Sequence, residues 1–460
     1  MRSVTSVDTA WLEEFLTSSD NGEAFSGVVD VRRDGEVLFQ SACGLASPRW
    51  DVPNTLDIRF DVASISKLFT SVAVLQMVAA GRLDLDASIH EYADLTSTAI
   101  TPAVTLRHLL THTSGIDGDN FADFGRGDDC LERYVESCVS LEQTHPLGAT
   151  MSYCNTGFSI LGRVIEVVTG KVWDAVMRER LFEPLALGHT GTLPEEALLH
   201  RAAVGHVAPG PGAPLEVAPV WMLPRSCGPM GLINSTVDDV LTFARLHLDD
   251  GATEDGTQLV SAERIGAMRQ PLVASPDPHT IGTHWGLGVI LFDWDGRPVY
   301  GHDGGTIGQS SRLRIVPDAD VAISLVANGG PGTQRVYEVL FGELMAELAG
   351  ITMPPPLQLP AQTPDVDLAR FAGTYQRLSV RYDLTPEDGR LVGTVTLSGP
   401  IAALTPHPVS AVTLTPVDAT TFLVQDEESP TPTPAVFYDF ADGIPQYLHT
   451  GARANPRVAD

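Results

Sequence analysis

The chain has 460 residues, of which 43% are hydrophobic, and a formal net charge of −29. That length exceeds what one core usually supports and points to two or three domains. The charge repels nucleic-acid backbones and anionic membrane surfaces, so neither is expected as a partner.

The first twenty residues carry no apolar run after Arg2, and nothing downstream reaches transmembrane length, so a cytoplasmic location is expected. Cys43, Cys130, Cys138, Cys154 and Cys227 are widely spaced without a CxxC pair, which fits reduced thiols and no metal site. Residues 25–43 form two β-rich runs around Asp34-Gly35, a hairpin signal. After Ser64 the chain turns helical, with Leu68, Val72, Leu75 and Val78 on one stripe and Gly81 where a helix would stop. Residues 156–182 and 236–251 share that spacing. Strands return over 285–305, with a second hairpin signal at Asp295-Gly296, and continue over 311–329 before an amphipathic stretch to Gly350.

This order predicts an α+β unit: one antiparallel sheet built from both ends of the segment, with helices inserted between. Pro354, Pro355, Pro356, Pro360 and Pro364 then make a stiff linker. The remainder, rich in Thr, Val and Pro without a helical period, predicts a small all-β domain. The expected division is 1–350, linker 351–366, and 367–460.

Of 29 basic residues only Lys67 and Lys171 are lysines. Arginine cannot be deprotonated in a protein, whereas a buried lysine can, so a lysine kept in an arginine-rich chain is a candidate for proton chemistry. Ser64 and Lys67 stand three apart at a predicted helix start and share a face. A neutral amine there could take the serine proton, and the helix N-terminus suits an acyl oxyanion. Tyr153 and Asn155 precede another helical run; a phenol can relay a proton, and an Asn amide can meet a substrate amide. They fit equally a loop tyrosine and a capping asparagine. Cys154 between them reads as a packing residue. His302-Asp303-Gly304-Gly305 follows a strand run, and its glycines would let substrate lie against a strand edge, although a Gly-rich hairpin with an incidental histidine fits too.

Together, S-x-x-K, Tyr-x-Asn and His-x-Gly in this order resemble the serine β-lactamases and penicillin-binding proteins. The resemblance is closest to the class C β-lactamase-like hydrolases, which include esterases, D-aminopeptidases and DD-peptidases. Supporting segments lie at 105–116, 182–192 and 231–245. The resemblance covers roughly residues 20–350. It implies a β-lactamase-like fold, Ser64 as nucleophile, and Lys67 with Tyr153 as its proton-transfer pair. It further implies Asn155, His302 and Gly304 as substrate-binding residues, an oxyanion hole from the N–H groups of Ser64 and Gly305, and neither cofactor nor metal. His112 in "LLTHTSG" is implied to be structural. The chain contains no G-x-S-x-G and no H-E-x-x-H, which disfavours an α/β-hydrolase and a zincin.

His302 stands where lactamases usually carry lysine, which favours a peptidase, amidase or esterase over dedicated β-lactam hydrolysis. "RFAGTY" (370–375) and "TFLVQ" (421–425) resemble the lipocalin-like β-barrel appended to many such hydrolases. Since all three motifs precede the linker, that barrel is expected to shape access rather than supply chemistry. The expected substrate is a small ester, amide or peptide, and the loops 117–145 and 200–230 are expected to wall the pocket. Sequence leaves three outcomes open: hydrolysis of an acyl-Ser64 enzyme, its capture by an amine or alcohol as in an acyltransferase, or a non-catalytic penicillin-recognising module. The oligomeric state is left open as well.

Overall fold

The structure, a computed structural model, describes residues 7–18, 25–95, 98–208, 213–330, 332–402, 407–426 and 432–458. Its larger sheet begins with the predicted hairpin, β1 (Gly27–Arg33) and β2 (Glu36–Cys43). Asp34 and Gly35 both have positive φ, which matches the twist that a two-residue turn between strands requires. Much later in the chain come β3 (Val273–Ala274), β4 (His284–Trp285), β5 (Ile290–Trp294), β6 (Arg297–Thr306), β7 (Gln309–Val316) and β8 (Val321–Ala327). The order across the sheet is β2-β1-β8-β7-β6-β5-β4-β3, all antiparallel. Both ends of the unit therefore meet at β1 and β8, as the order of predicted elements implies.

Side chains on a strand alternate between faces, and here both faces are buried. Val28, Ala322 and Val326 join one core with the central helices. Val29, Val31, Ile323 and Leu325 join a second core with Leu12 and Leu16 of α1 (Thr9–Thr17) and with the helical stretch 332–349. This explains why β8, "VAISLVA", is apolar almost throughout.

Among the helices between, α2 (Ser66–Ala79) is buried at nearly every position from Ser66 to Met77, not along a single stripe. A helix apolar all round belongs in the interior, and α2 is the axis of the helical region. α3 (Asn155–Thr169) and α4 (Val237–Leu248) match the other predicted runs, although the first stops at Thr169 and a new helical piece starts at Trp173. No helix among the described residues is long and apolar enough to cross a membrane.

Residues 351–367 carry no regular structure. Eight strands follow: β9 (Gly373–Arg377), β10 (Val380–Glu387), β11 (Arg390–Leu397), β12 (Val409–Pro416), β13 (Thr421–Asp426), β14 (Thr433–Ala441), β15 (Ile444–Thr450) and β16 (Arg453–Pro456). Each pairs with the next, and Tyr375 bridges Arg457 to bring the first and last strands together. The result is a nearly closed, up-and-down antiparallel barrel around Phe371, Phe422, Phe437 and Leu448. It is seated on the larger unit through backbone as well as side chains: Tyr153 N donates to Ala452 O at 2.9 Å and Leu378 N to the Asp117 carboxylate at 2.6 Å.

Candidate active site

The short strand Phe60-Asp61 pairs with Asn234-Ser235, and a single tight turn at Ala63–Ile65 carries the chain into α2. Ala63 has φ +47°, strained for a residue with a Cβ, and Asp61 Oδ1 holds it by accepting from Ala63 N at 2.8 Å. Ser64 is thereby set at the mouth of the helix, partly exposed, while Lys67 one turn on is fully buried.

Lys67 Nζ donates to Ser64 Oγ at 3.1 Å and to the Met230 carbonyl at 2.6 Å. Its partners are a hydroxyl and a carbonyl, not a carboxylate. Burial, reinforced by the charge of Arg453, pushes the amine well below its ordinary pKa and favours the neutral form. Lys171 is the contrast: half-exposed, it is paired with the Glu179 carboxylate.

Tyr153 lies on the other side of the serine, hydrogen-bonded to Ser64, with Lys67 Nζ 4.9 Å from its ring centroid. Burial raises the phenol, and the Ser64 bond pulls it back only in part, so it rests protonated. Trp285 and His112 clamp the ring at 5.6 and 4.4 Å between centroids. His112 Nδ1 accepts from Cys154 N at 2.9 Å, and burial drives that imidazole well below its usual range. It braces the tyrosine segment, in line with the structural reading. The Cys154 thiol is pushed up to about 12 by burial and its Sγ accepts from Gly157 N, so it caps α3 as a neutral group.

Asn155 opens α3, and its Nδ2 donates to Asp119 Oδ1 at 3.0 Å. Opposite, β5 pairs with β6 only as far as Gly301, leaving the next residues of β6 without a neighbour on that side. A Cβ on Gly304 would collide with the Val62 carbonyl and with Ser311 Oγ, so glycine is what lets β6 approach the turn before Ser64. Gly304 and Gly305 thus face Ser64, Tyr153 and Asn155 across a cleft of about 370 Å³.

His302 differs from expectation. It does not line this cleft: its ring is fully buried behind Tyr153, edge-on to Trp285, with Nδ1 bonded to the Asp303 carbonyl. Burial lowers it to about 3, so the ring is neutral and, shut away from the cleft, does not anchor a substrate carboxylate. The wall is also broader than expected. Phe121 and Leu223 come from the two anticipated loops, but Thr280 and Ile281 come from a third.

The barrel reaches the cleft as well: its Arg453 lines it, with the guanidinium 4.9 Å from the Tyr153 ring centroid. One residue of the cleft wall therefore lies beyond the linker. No sequence signal marks Arg453, since it belongs to none of the motifs and acts across more than three hundred residues.

The arrangement can deprotonate a serine with a neutral amine, hold a phenolic proton beside it, and receive an extended substrate along the edge of β6. The Beta-lactamase family profile matches residues 12–340. The chain is 43% identical over 372 residues to penicillin-binding protein 4 of Amycolatopsis lactamdurans, covering 80% of this chain and 97% of that one. It is 34% identical over 198 residues to a D-aminopeptidase of Brucella anthropi, covering 42% and 37%. The crystal structure of SurE, also solved with D-Leu, matches at a TM-score of 0.77 with 27% identity over 98% of both chains, barrel included. With its S-x-x-K turn, its Tyr-x-Asn segment and its glycine-rich strand gathered at one cleft, the chain belongs to the β-lactamase family of serine hydrolases.

Proposed function

We propose that the protein cleaves an ester or amide through an acyl-Ser64 intermediate. Neutral Lys67 takes the Ser64 proton as Oγ attacks the carbonyl. The backbone N–H groups of Ser64 and Gly305 receive the oxyanion, and Tyr153 passes a proton to the leaving group. Water then reverses the sequence at the ester. Asn155 and Gly304 hold the substrate, while His302 supports Tyr153 from behind. The observation that carries this reading is Lys67 Nζ at 3.1 Å from Ser64 Oγ, buried with no carboxylate among its partners.

The D-aminopeptidase relative and the SurE complex with D-Leu support a D-configured residue at the scissile bond. Residues 1–350 would form the catalytic domain, 351–366 the linker and 367–460 the barrel domain. Five buried, unpaired cysteines support a reducing, cytoplasmic setting.

The test is covalent labelling with a fluorophosphonate, followed by peptide mapping and turnover of an activated D-amino-acid ester with and without an added amine. The expected result is one adduct at Ser64, abolished by Ser64→Ala, with free acid as the main product. An adduct elsewhere removes Ser64 from the mechanism, and acyl-amine as the main product makes the enzyme a transferase.

A further inference from the structure

Asp119 belongs to none of the three motifs, yet it is nearly inaccessible beside the cleft and holds three partners at once. Arg453 Nε and Nη2 donate to its two oxygens at 3.1 and 3.0 Å, and Arg377 of β9 pairs with it at 2.8 Å. The third partner is the Asn155 amide. Burial alone would raise this carboxyl, but the two guanidiniums overcome it and keep the group ionised. Its loop is pressed onto the motif segment: Thr156 N donates to Gly118 O at 3.0 Å, and a Cβ on Gly118 would run into Cys154 and the Tyr153 carbonyl.

An ionised carboxylate only accepts hydrogen bonds, so it binds the NH2 end of Asn155 and never its oxygen. We propose that Asp119 is a positioning residue: clamped by Arg377 and Arg453 of the barrel, it fixes the Asn155 side chain with the amide nitrogen inward and the carbonyl oxygen toward the cleft. The cleft then offers an acceptor, and the substrate that profits carries an N–H next to the scissile carbonyl, as an N-acylated residue does. This rests on the acyl-Ser64 reading and extends it to a preference for substrates with that N–H.

The experiment uses the full-length chain and two activated esters of the same acyl group, one with the N–H and one with oxygen in its place, and compares acylation rates. Wild type should prefer the N–H substrate. Asp119→Asn, which can turn either end of its own amide to Asn155, should lose about tenfold of that preference, the value of one buried hydrogen bond, with the oxygen analogue much less affected. In an Asn155→Ala background the same change should cost almost no further preference. Equal loss on both substrates, or an undiminished effect without Asn155, overturns the proposal by reducing Asp119 to a structural ion pair. If Asp119→Asn does not fold, Asn155→Ala alone carries the test: it removes the acceptor that Asp119 is proposed to present, and an unchanged preference for the N–H substrate then overturns the proposal. Absence of any Ser64 adduct in wild type would instead fail the acyl-enzyme reading, independently of this ratio.

Discussion

The two walls of the cleft are held by opposite means. On the Ser64 side, a neutral amine and a protonated phenol are packed together with almost no charge: Lys67, Tyr153, His112 and His302 are all buried and shifted toward their neutral forms. On the barrel side the cleft is held by full charges, with Asp119 between Arg377 and Arg453. Proton transfer from the serine needs a base that can exist without its proton, and burial provides this at Lys67 by bringing its charged and neutral forms closer in energy, while it holds the phenol and the two imidazoles in their neutral forms. Orientation needs groups that do not change state, and a carboxylate between two guanidiniums never leaves its ionised form near neutral pH.

That contrast can be broken hardest at Lys67. Lys67→Arg keeps the charge but cannot give up a proton, so acylation should fall by about 10²-fold or more, close to the loss in Lys67→Ala. Acylation rates of folded variants decide it, and a rescue by Arg would mean that this wall also works by fixed charge. Tyr153→Phe removes the phenolic proton and leaves the ring between Trp285 and His112, so the expected loss is again about 10²-fold in turnover without loss of thermal stability.

Arg453→Gln probes the charged wall through the neutral one. After burial, the Arg453 charge is the next contribution lowering Lys67, so its removal raises the amine pKa and leaves Lys67 protonated to higher pH. The acid limb of the acylation profile should move to higher pH, with a loss of about tenfold or less on the plateau. An unmoved limb would mean that the two walls are electrically independent.

Asp61 gives the smallest effect and sharpens the neutral side. It is fully buried without a cation, and burial raises it to about 8. Its folded pKa lies above the unfolded value of about 3.9, so its contribution to stability is greatest below that pH and falls as pH rises toward 8. Asp61→Asn still accepts from Ala63 N and has no proton to lose. Its melting temperature relative to wild type should therefore increase steadily from pH 4 to pH 8, and a gap that stays flat with pH would show that Asp61 titrates normally.

The neutral wall was legible in the sequence because its pieces are local: Ser64 and Lys67 are one helical turn apart, Tyr153 and Asn155 two residues apart, and a scarce lysine marks the spot. The larger sheet was legible for the same reason, from the Asp34-Gly35 and Asp295-Gly296 turns and the apolar runs between them. The charged wall left no trace, since an aspartate in a loop and arginines in two barrel strands become a site only after folding across 334 residues. His302 was misjudged because a motif gives the strand position but not the depth of the ring, which Trp285 and Tyr153 determine by covering it.

All five cysteines are buried, and they lie between Cys43 and Cys227, none of them in the barrel. The folded protein should therefore be silent to water-borne thiol reagents, and each modified cysteine would record an opening of the larger unit while the barrel stays invisible. Modification timed against loss of the Ser64 adduct would reveal which part lets go first: a site that fails while the thiols are still protected has lost its barrel clamp, and one that fails together with them has come apart from within.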